Sequence, residues 1–484
     1  MAAPSRADVG FRSERGPVLI ALMLATSLVA LESTILATAI PTIVSDLGGF
    51  TQFPWLFSSY LLTQAVLVPV YGKLSDLFGR VPILVFGIAV FALGSVLCAL
   101  AWSMPALIAF RALQGLGAGA VLPMAQTIAG DIYTVAERAK AQGYLASVWG
   151  MSAVIGPAVG GVFADHLSWR WIFWVNLPLC ALAAWVLLRN HREEKPTGPR
   201  RAVDWAGATT LAAGAALLIL GLLEGGQAWA WTSAASLSVF AAAAVLLTAF
   251  VWIETRAPEP ILPMWVLTRR ILVTTSAVSC LVGAVVLGLT SYVPSFVQNS
   301  LGTTAVVAGF TLATLTIGWP IAAAQSGRLY MRIGFRRTGL VGSVPLLVGT
   351  ALLTRVGVGS SPWQVAVSCV LIGLGMGLIA SPALIAAQSS VGWSERGVVT
   401  GSNAFARSMG SAVGVAVFGA LANAALARSG ADAAPDAGQL AESVGPVFTA
   451  VLVCAVLLVA CVAAIPSGTG TDAGPPPSQT PAPH

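Results

Sequence analysis

The sequence predicts an all-α integral membrane protein of about fourteen transmembrane helices, arranged as two related six-helix halves with a two-helix insertion between them. Three observations lead there. Of 484 residues, 57% are hydrophobic and 9% are charged, against roughly 25% charged in an ordinary soluble domain. A compact soluble fold of this length has too little interior to hide so much apolar surface. The apolar residues fall in runs of about 20, the length that carries a helix across a bilayer. The later part of the chain also repeats the earlier part.

Taken in order, the first six runs lie near 17–41, 55–76, 81–101, 106–129, 143–164 and 170–188. Arg6, Arg12 and Arg15 precede the first run, which continues to Pro41. That is too long for the apolar stretch of a cleavable signal, so it is expected to remain as the first span after an N-terminal segment, 1–16. Two further runs, near 203–223 and 234–253, lie in a linker at 189–270. The last six lie near 271–293, 304–326, 337–356, 363–388, 397–422 and 445–464. The halves are thus 17–188 and 271–464. The tail 465–484, rich in Pro, Gly, Ser and Thr, reads as disordered.

Basic residues set the orientation, because positive loops stay in the cytoplasm. With the amino terminus inside, inner loops and that terminus hold 20 of the 25 Lys and Arg residues. The densest group is Arg189, Arg192, Lys195, Arg200 and Arg201; only Arg170, Arg355 and Arg428 fall outside. An even span count then puts both termini in the cytoplasm. The net charge of +6 does not indicate a nucleic-acid partner, since no basic patch is interleaved with aromatic residues.

The repeat has a nearly constant offset. Glu137, Arg138, Gly143, Gly156 and Gly161 recur 258 residues later as Glu395, Arg396, Gly401, Gly414 and Gly419. Gly115-Leu116-Gly117 returns as Gly373-Leu374-Gly375, and Gly72, Leu74 and Gly79 return as Gly327, Leu329 and Gly334. Matches in order at one offset indicate two homologous halves. The unmatched stretch is the insertion, expected at the periphery.

Several chemistries are excluded. The six cysteines lie in apolar runs without paired spacing, and the three histidines lie outside the runs, so no disulfide framework, metal site or cofactor is expected. Gly72-Lys73 lacks the upstream glycine of a phosphate-binding loop, and neither a Ser/His/Asp set nor HExxH is present. The chain is expected not to be an enzyme and not to hydrolyse ATP itself.

Four motifs carry the functional reading. The loop Gly72-Lys73-Leu74-Ser75-Asp76-Leu77-Phe78-Gly79-Arg80, the helix Arg111-Ala112-Leu113-Gln114-Gly115, the segment Leu31-Glu32-Ser33-Thr34-Ile35 and the run Gly150, Gly156-Pro157, Gly160-Gly161 together resemble the major facilitator superfamily, specifically its fourteen-helix drug:proton antiporters. The likeness covers nearly the whole chain. It implies two six-helix bundles around a central cavity that opens alternately to either side. It also implies that Gly72, Asp76, Gly79 and Arg80 form a gating loop, and that Gly150, Gly156, Pro157, Gly160 and Gly161 form the close-packed, bent helix of exporters. Leu77 and Val81 stand where a basic residue is common, and Met331 replaces the acid in the second copy, so gate contacts are expected to be asymmetric. The family usually has Asp where this chain has Glu32.

The residues themselves point the same way. An arginine within a span costs about 2.5–3.5 kcal/mol or more unless it meets a partner or water. Arg111 either bonds loosened backbone carbonyls or pairs with Glu32, the one carboxylate deep in the first half. Glu32 lies nine residues before Pro41 and Arg111 six after Pro105, which at 1.5 Å per residue puts both roughly 9–14 Å below the outer face. Burial disfavours a carboxylate and a neighbouring arginine favours it, the opposed influences that proton coupling requires; a purely structural ion pair is the alternative. Tyr60, Gln64 and Gln114 line a substrate cavity or act as interhelical glue. Arg407, with no acid in its half's spans to meet it, faces that cavity and shares in coupling, or serves a structural role. Asp204-Trp205 opens the inserted pair.

The reading is a proton-coupled efflux antiporter of lipophilic drugs in the cell membrane, an agent of antibiotic resistance. Its expected partners are protons, a small lipophilic substrate and the bilayer, and it works as a monomer. The alternative is a dedicated exporter of one endogenous lipid, siderophore or antibiotic.

Overall fold

The computed structural model describes residues 9–48, 52, 55–190, 193, 204–226, 229–428 and 437–467. The first half comprises α1 (Gly16–Leu47), α2 (Trp55–Val66), α3 (Val68–Phe78), α4 (Arg80–Ala99), α5 (Met104–Ile132), α6 (Val135–His166), the single turn α7 (Trp171–Trp174) and α8 (Asn176–Asn190). The inserted pair is α9 (Trp205–Glu224) and α10 (Ala234–Glu254). After the short α11 (Met264–Thr268) come α12 (Arg270–Ser295), α13 (Ala305–Ile333), α14 (Phe335–Leu353), α15 (Pro362–Ser389), α16 (Arg396–Arg428) and α17 (Ala437–Ala464). The fold is all-helical. Most of the basic stretch after Asn190 and the tail from 468 lie outside the described residues.

All fourteen predicted segments fall on helix, and eleven helices among the described residues are long and apolar enough to cross a membrane. The three that fall short have identifiable causes. The segment at 55–76 is two helices, α2 and α3, interrupted at Leu67. Pro69 has no N–H for its helical bond and its ring crowds the preceding turn. The helix at 143–164 runs over Val135–His166, and several of its side chains from 154 onward lie outside the described residues, which leaves only the part that opens on the polar stretch Glu137, Arg138, Lys140 and Gln142. The helix at 337–356 opens on Phe335-Arg336-Arg337.

Each half buries its own core. Leu22, Val29, Phe91, Val121 and Met124 pack together in the first half, with Leu36, Leu56, Leu107 and Phe173 towards one end. Val282, Leu289, Leu346, Ile372, Met376 and Phe448 form the core of the second. The halves meet along two seams, α3 against α16 and α6 against α13. Glycine makes the first seam possible: a Cβ at Gly72 would stand 2.6 Å from the Gly397 carbonyl oxygen. The second has the same construction, with Gly143 against Ala324 and Gly327 against Ala139. In the inserted pair, α9 lies in the groove where α2 and α3 meet α16, and α10 packs chiefly on α9.

Candidate functional site

The end of the molecule that carries the 72–80 loop, here the basic end, is closed by contacts between the halves. Its centre is Asp76. One carboxylate oxygen accepts from Arg80 Nη2 at 2.8 Å and from the Gly397 amide at 2.9 Å, and the other accepts from the Val398 amide at 2.8 Å. Gly397 and Val398 open α16, so Asp76 sits where exposed N–H groups and the helix dipole favour an anion. Arg80 continues across the seam, donating to the Trp393 carbonyl and lying 3.7 Å from the Trp393 ring centre. Asp131, at the end of α5, stands 3.2 Å from Arg80 Nε and 2.8 Å from Arg396 Nη1. Gly79 at φ 99° turns the chain between α3 and α4, a conformation glycine adopts without strain. Glu193 accepts from the Arg80 and Val81 amides at 2.8 and 2.9 Å, capping α4.

The repeat of this loop is built differently. Gly334 at φ 83° turns the chain as Gly79 does. Tyr330, however, donates its hydroxyl to the Val135 carbonyl, and Arg138 donates to Ser389 Oγ at 3.0 Å. No carboxylate takes part there among the described residues. Nearby, the Glu137 carboxylate completes a capping box with Thr134 and meets Arg15 Nη1 at 2.9 Å. Burial alone would push the Glu137 carboxyl up; the Thr134 amide, Arg15 and the Thr134 hydroxyl together outweigh that and hold it below its ordinary value. At the opposite end, Asp46 accepts from Trp169 Nε1 at 2.9 Å and Arg170 at 2.8 Å, and these bonds hold its carboxyl low.

Inside the first half lies a sealed polar cluster. Glu32 and Arg111 are each 1% exposed, and Arg111 Nη1 donates to Glu32 Oε1 at 2.6 Å. The second carboxylate oxygen accepts from Asn176 Nδ2 at 2.6 Å. Arg111 also donates to Gln114 Oε1 at 2.6 Å and to the Leu56 carbonyl at 3.1 Å. Gln114 in turn donates to Ser95 Oγ at 2.8 Å. The guanidinium lies 4.1 Å from the Tyr60 ring centre, and the Tyr60 hydroxyl is buried without a hydrogen-bond partner. Five helices, α1, α2, α4, α5 and α8, thus converge on one ion pair.

Of the predicted cavity residues, Tyr60 and Gln114 belong to this closed cluster. Gln64 is half-buried, and its side-chain amide makes no hydrogen bond among the described residues. Arg407 in α16 is half-buried, 5.4 Å from the Trp319 ring centre. On α6, Gly150 faces the Thr316 carbonyl of α13, Gly156 lies against Thr34 of α1, and Gly160 is buried. The Pro157 side chain and the surroundings of Gly161 lie outside the described residues. Ser95, Asp131, Asn176, Glu193 and Trp393 join these sites with no motif to mark them. Neutral or isolated polar residues in a long chain carry no periodic signal, and only their partners reveal them.

Two separately cored helical halves, joined by glycine seams and closed by an ionic lattice at one end, build a multi-pass membrane protein, and its family and transporter relatives make it a transporter and not an enzyme. Residues 22–415 match the family model described as Major Facilitator Superfamily, and the chain belongs to that family. It is 37% identical over 421 residues to the multidrug transporter protein MdtP of Bacillus subtilis, covering 87% of this chain and 77% of that one. It is 35% identical over 402 residues to multidrug resistance protein 3 of the same organism, covering 83% and 78%. The fold superposes on the crystal structure of the human organic anion transporter MFSD10 (TETRAN) with a TM-score of 0.65 at 16% identity, covering 93% of this chain and 99% of that one.

Proposed function

We propose that this chain is a proton-coupled antiporter of the cell membrane that exports lipophilic drugs or other small lipophilic compounds by alternating access. The carrying observation is the buried Glu32–Arg111 pair. Among the described residues Glu32 is the one carboxylate set deep within a helix of either half, and its partners tie α1 to α5 and α8. Protonation removes the charge that Arg111 pairs with and turns one of the two acceptor oxygens into a hydroxyl, which weakens the bonds from Arg111 and Asn176. The helices that meet there are then free to shift. In the proposed cycle, substrate loading from the basic, cytoplasmic end favours loss of the Glu32 proton, and re-protonation from outside favours substrate release. Asp76, Arg80 and Asp131 hold the cytoplasmic gate closed in the conformation described above, and the α6 glycines let that helix slide against α1 and α13.

The names of the two Bacillus relatives support export of several compounds rather than uptake. Fourteen passes, with halves at 17–188 and 271–464, an insertion at 189–270 and both termini in the cytoplasm, remain part of the proposal. In its support, α14 exposes Val341, Val344, Val348 and Leu352 at helical spacing, as a lipid-facing wall does. The chain is taken to act as a monomer.

The test is transport into proteoliposomes under an imposed pH gradient, against a panel of lipophilic compounds. Uphill movement of several unrelated compounds, lost in Glu32→Gln, is the expected result. Movement of a single compound identifies a dedicated exporter. Uphill movement that survives Glu32→Gln overturns the proton assignment.

A further inference from the structure

The second half holds one unmatched charge where the first holds a neutral pair. Arg407 lies eleven residues beyond Arg396, the first residue of α16, which at 1.5 Å per residue is about 16 Å from the basic end and near the middle of a bilayer. Helices α12 to α16 contain no Asp or Glu at all. The Arg407 guanidinium makes no hydrogen bond or ion pair among the described residues, yet none of its nitrogens is shut away from solvent. Its one close partner is the face of Trp319 on α13.

That contact fixes where the group points. α16 forms one seam with the first half through α3, and α13 forms the other through α6. The Arg407 backbone lies against Gly283 of α12, a helix that belongs to neither seam. A side chain reaching from α16 to α13 therefore crosses the wall of the second half that looks towards the first, between the seams. On this wall the fixed charge is uncompensated, because Glu32 and Arg111 neutralise one another in a sealed cluster elsewhere. An unpaired guanidinium at this depth is expensive unless water or an anion reaches it. Its planar fork matches a carboxylate, sulfonate or phosphate edge with two parallel bonds, and the Trp319 ring both braces it and offers an aromatic body a surface.

We propose that Arg407, braced by Trp319, is an anion-recognition point of the substrate cavity, so that this transporter prefers aromatic or apolar compounds bearing an oxyanion over lipophilic cations. The proposal rests on the export reading for its context and sharpens it to a substrate class. It concerns binding and is tested by binding. Three probes share one aromatic body and differ in charge: 1-pyrenesulfonate, 1-pyrenemethanol and 1-pyrenemethylammonium. Fluorescence anisotropy on the full chain in detergent, corrected for empty micelles, is expected to give sulfonate binding at least about tenfold tighter than ammonium binding, the gap of one good charged contact. Arg407→Gln abolishes that gap and leaves the alcohol unchanged. Arg407→Lys keeps part of it, since the charge stays but the fork is lost.

Ser411→Asp provides a second route that leaves Arg407 in place. It sets a carboxylate one turn away and is expected to remove the preference by pairing with the guanidinium and neutralising it. Equal binding of sulfonate and ammonium by the wild-type chain overturns the proposal, as does a preference that survives both Arg407→Gln and Ser411→Asp. The two readings fail separately. Charge-selective binding without pH-driven transport of any compound refutes export and keeps the site. Transport with charge-blind binding refutes the site and keeps export.

Discussion

The two halves share a repeat in sequence and a plan in space, yet they spend their charges differently. In the first, Glu32 and Arg111 meet in a closed cluster satisfied by Asn176, Gln114 and the Leu56 carbonyl. In the second, Arg407 stands half-buried beside Trp319 with no acid in helices α12 to α16 to meet it. The seams repeat the contrast: Asp76 and Asp131 bind across one, while Tyr330 and small residues close the other. Close approach of helices needs only small residues at fixed intervals, so the glycines are kept in both copies. Charge is not repeated in the same way, and in the proposed mechanism one coupling group and one gate serve both halves.

The strongest way to break this division of labour is at its centre. Glu32→Gln cannot cycle a proton and is expected to reduce pH-driven efflux of every substrate to background, while Glu32→Asp retains it. Removing one partner of a buried pair also costs about 3–5 kcal/mol, so the fall in melting temperature measures the structural part separately. Arg407→Gln is expected to shift which substrates bind while leaving pH-driven efflux of neutral ones intact. If Arg407→Gln uncouples transport from the proton as completely as Glu32→Gln does, the halves are not specialised as proposed.

The seam comes next. A methyl at Gly397 would lie 2.3 Å from Ser75 Oγ and 2.5 Å from the Gly72 carbonyl oxygen, distances no relaxed packing accepts. Gly397→Ala is expected to hold the basic end apart and stop turnover, read as a longer distance between spin labels on α3 and α16. Gly309→Ala, where nothing stands within 4 Å of the added carbon, is the matched change expected to leave both unchanged. A normal closed distance in Gly397→Ala would refute the close-approach account.

Asp76→Asn is expected to weaken the proposed gate without blocking it. The neutral amide loses charge-assisted bonds to Arg80 and to the start of α16, worth ~2 kcal/mol together, and more than tenfold in the closed-to-open ratio. Slower turnover with substrate affinity little changed is the expected result, with Met331→Asn at the repeat position having no comparable effect. Equal slowing in both variants would mean that the seams are gated alike.

Glu137→Gln is expected to have the smallest effect. It weakens the capping box and the Arg15 contact at a cost of about 1 kcal/mol, visible as a small drop in melting temperature with transport kept. Because the folded protein holds the Glu137 carboxyl below its ordinary value, this stabilisation is complete above the ordinary glutamate pKa and is lost as pH falls through the lowered one. A stability difference between wild type and variant that does not shrink in acid would contradict the assignment.

Much of this molecule is legible in its amino-acid sequence alone. Apolar length is a local property, so the helical segments read directly from the chain, and a repeat at one offset is the signal from which the halves are proposed. The Glu32–Arg111 pairing is accessible in the same way, since helix rise converts position into depth and only one acid lies at the right level. Direction around a helix and identity across a seam are not local. Whether Gln114 lines a cavity or braces Arg111 depends on which side of α5 meets α4, and in the fold it meets Ser95. Asn176 is one uncharged residue 144 positions from the carboxylate it binds, and Asp131 reaches Arg396 across 265. Such partners are chosen by packing, because a buried charge draws its hydrogen bonds from whatever helices the two cores press against it.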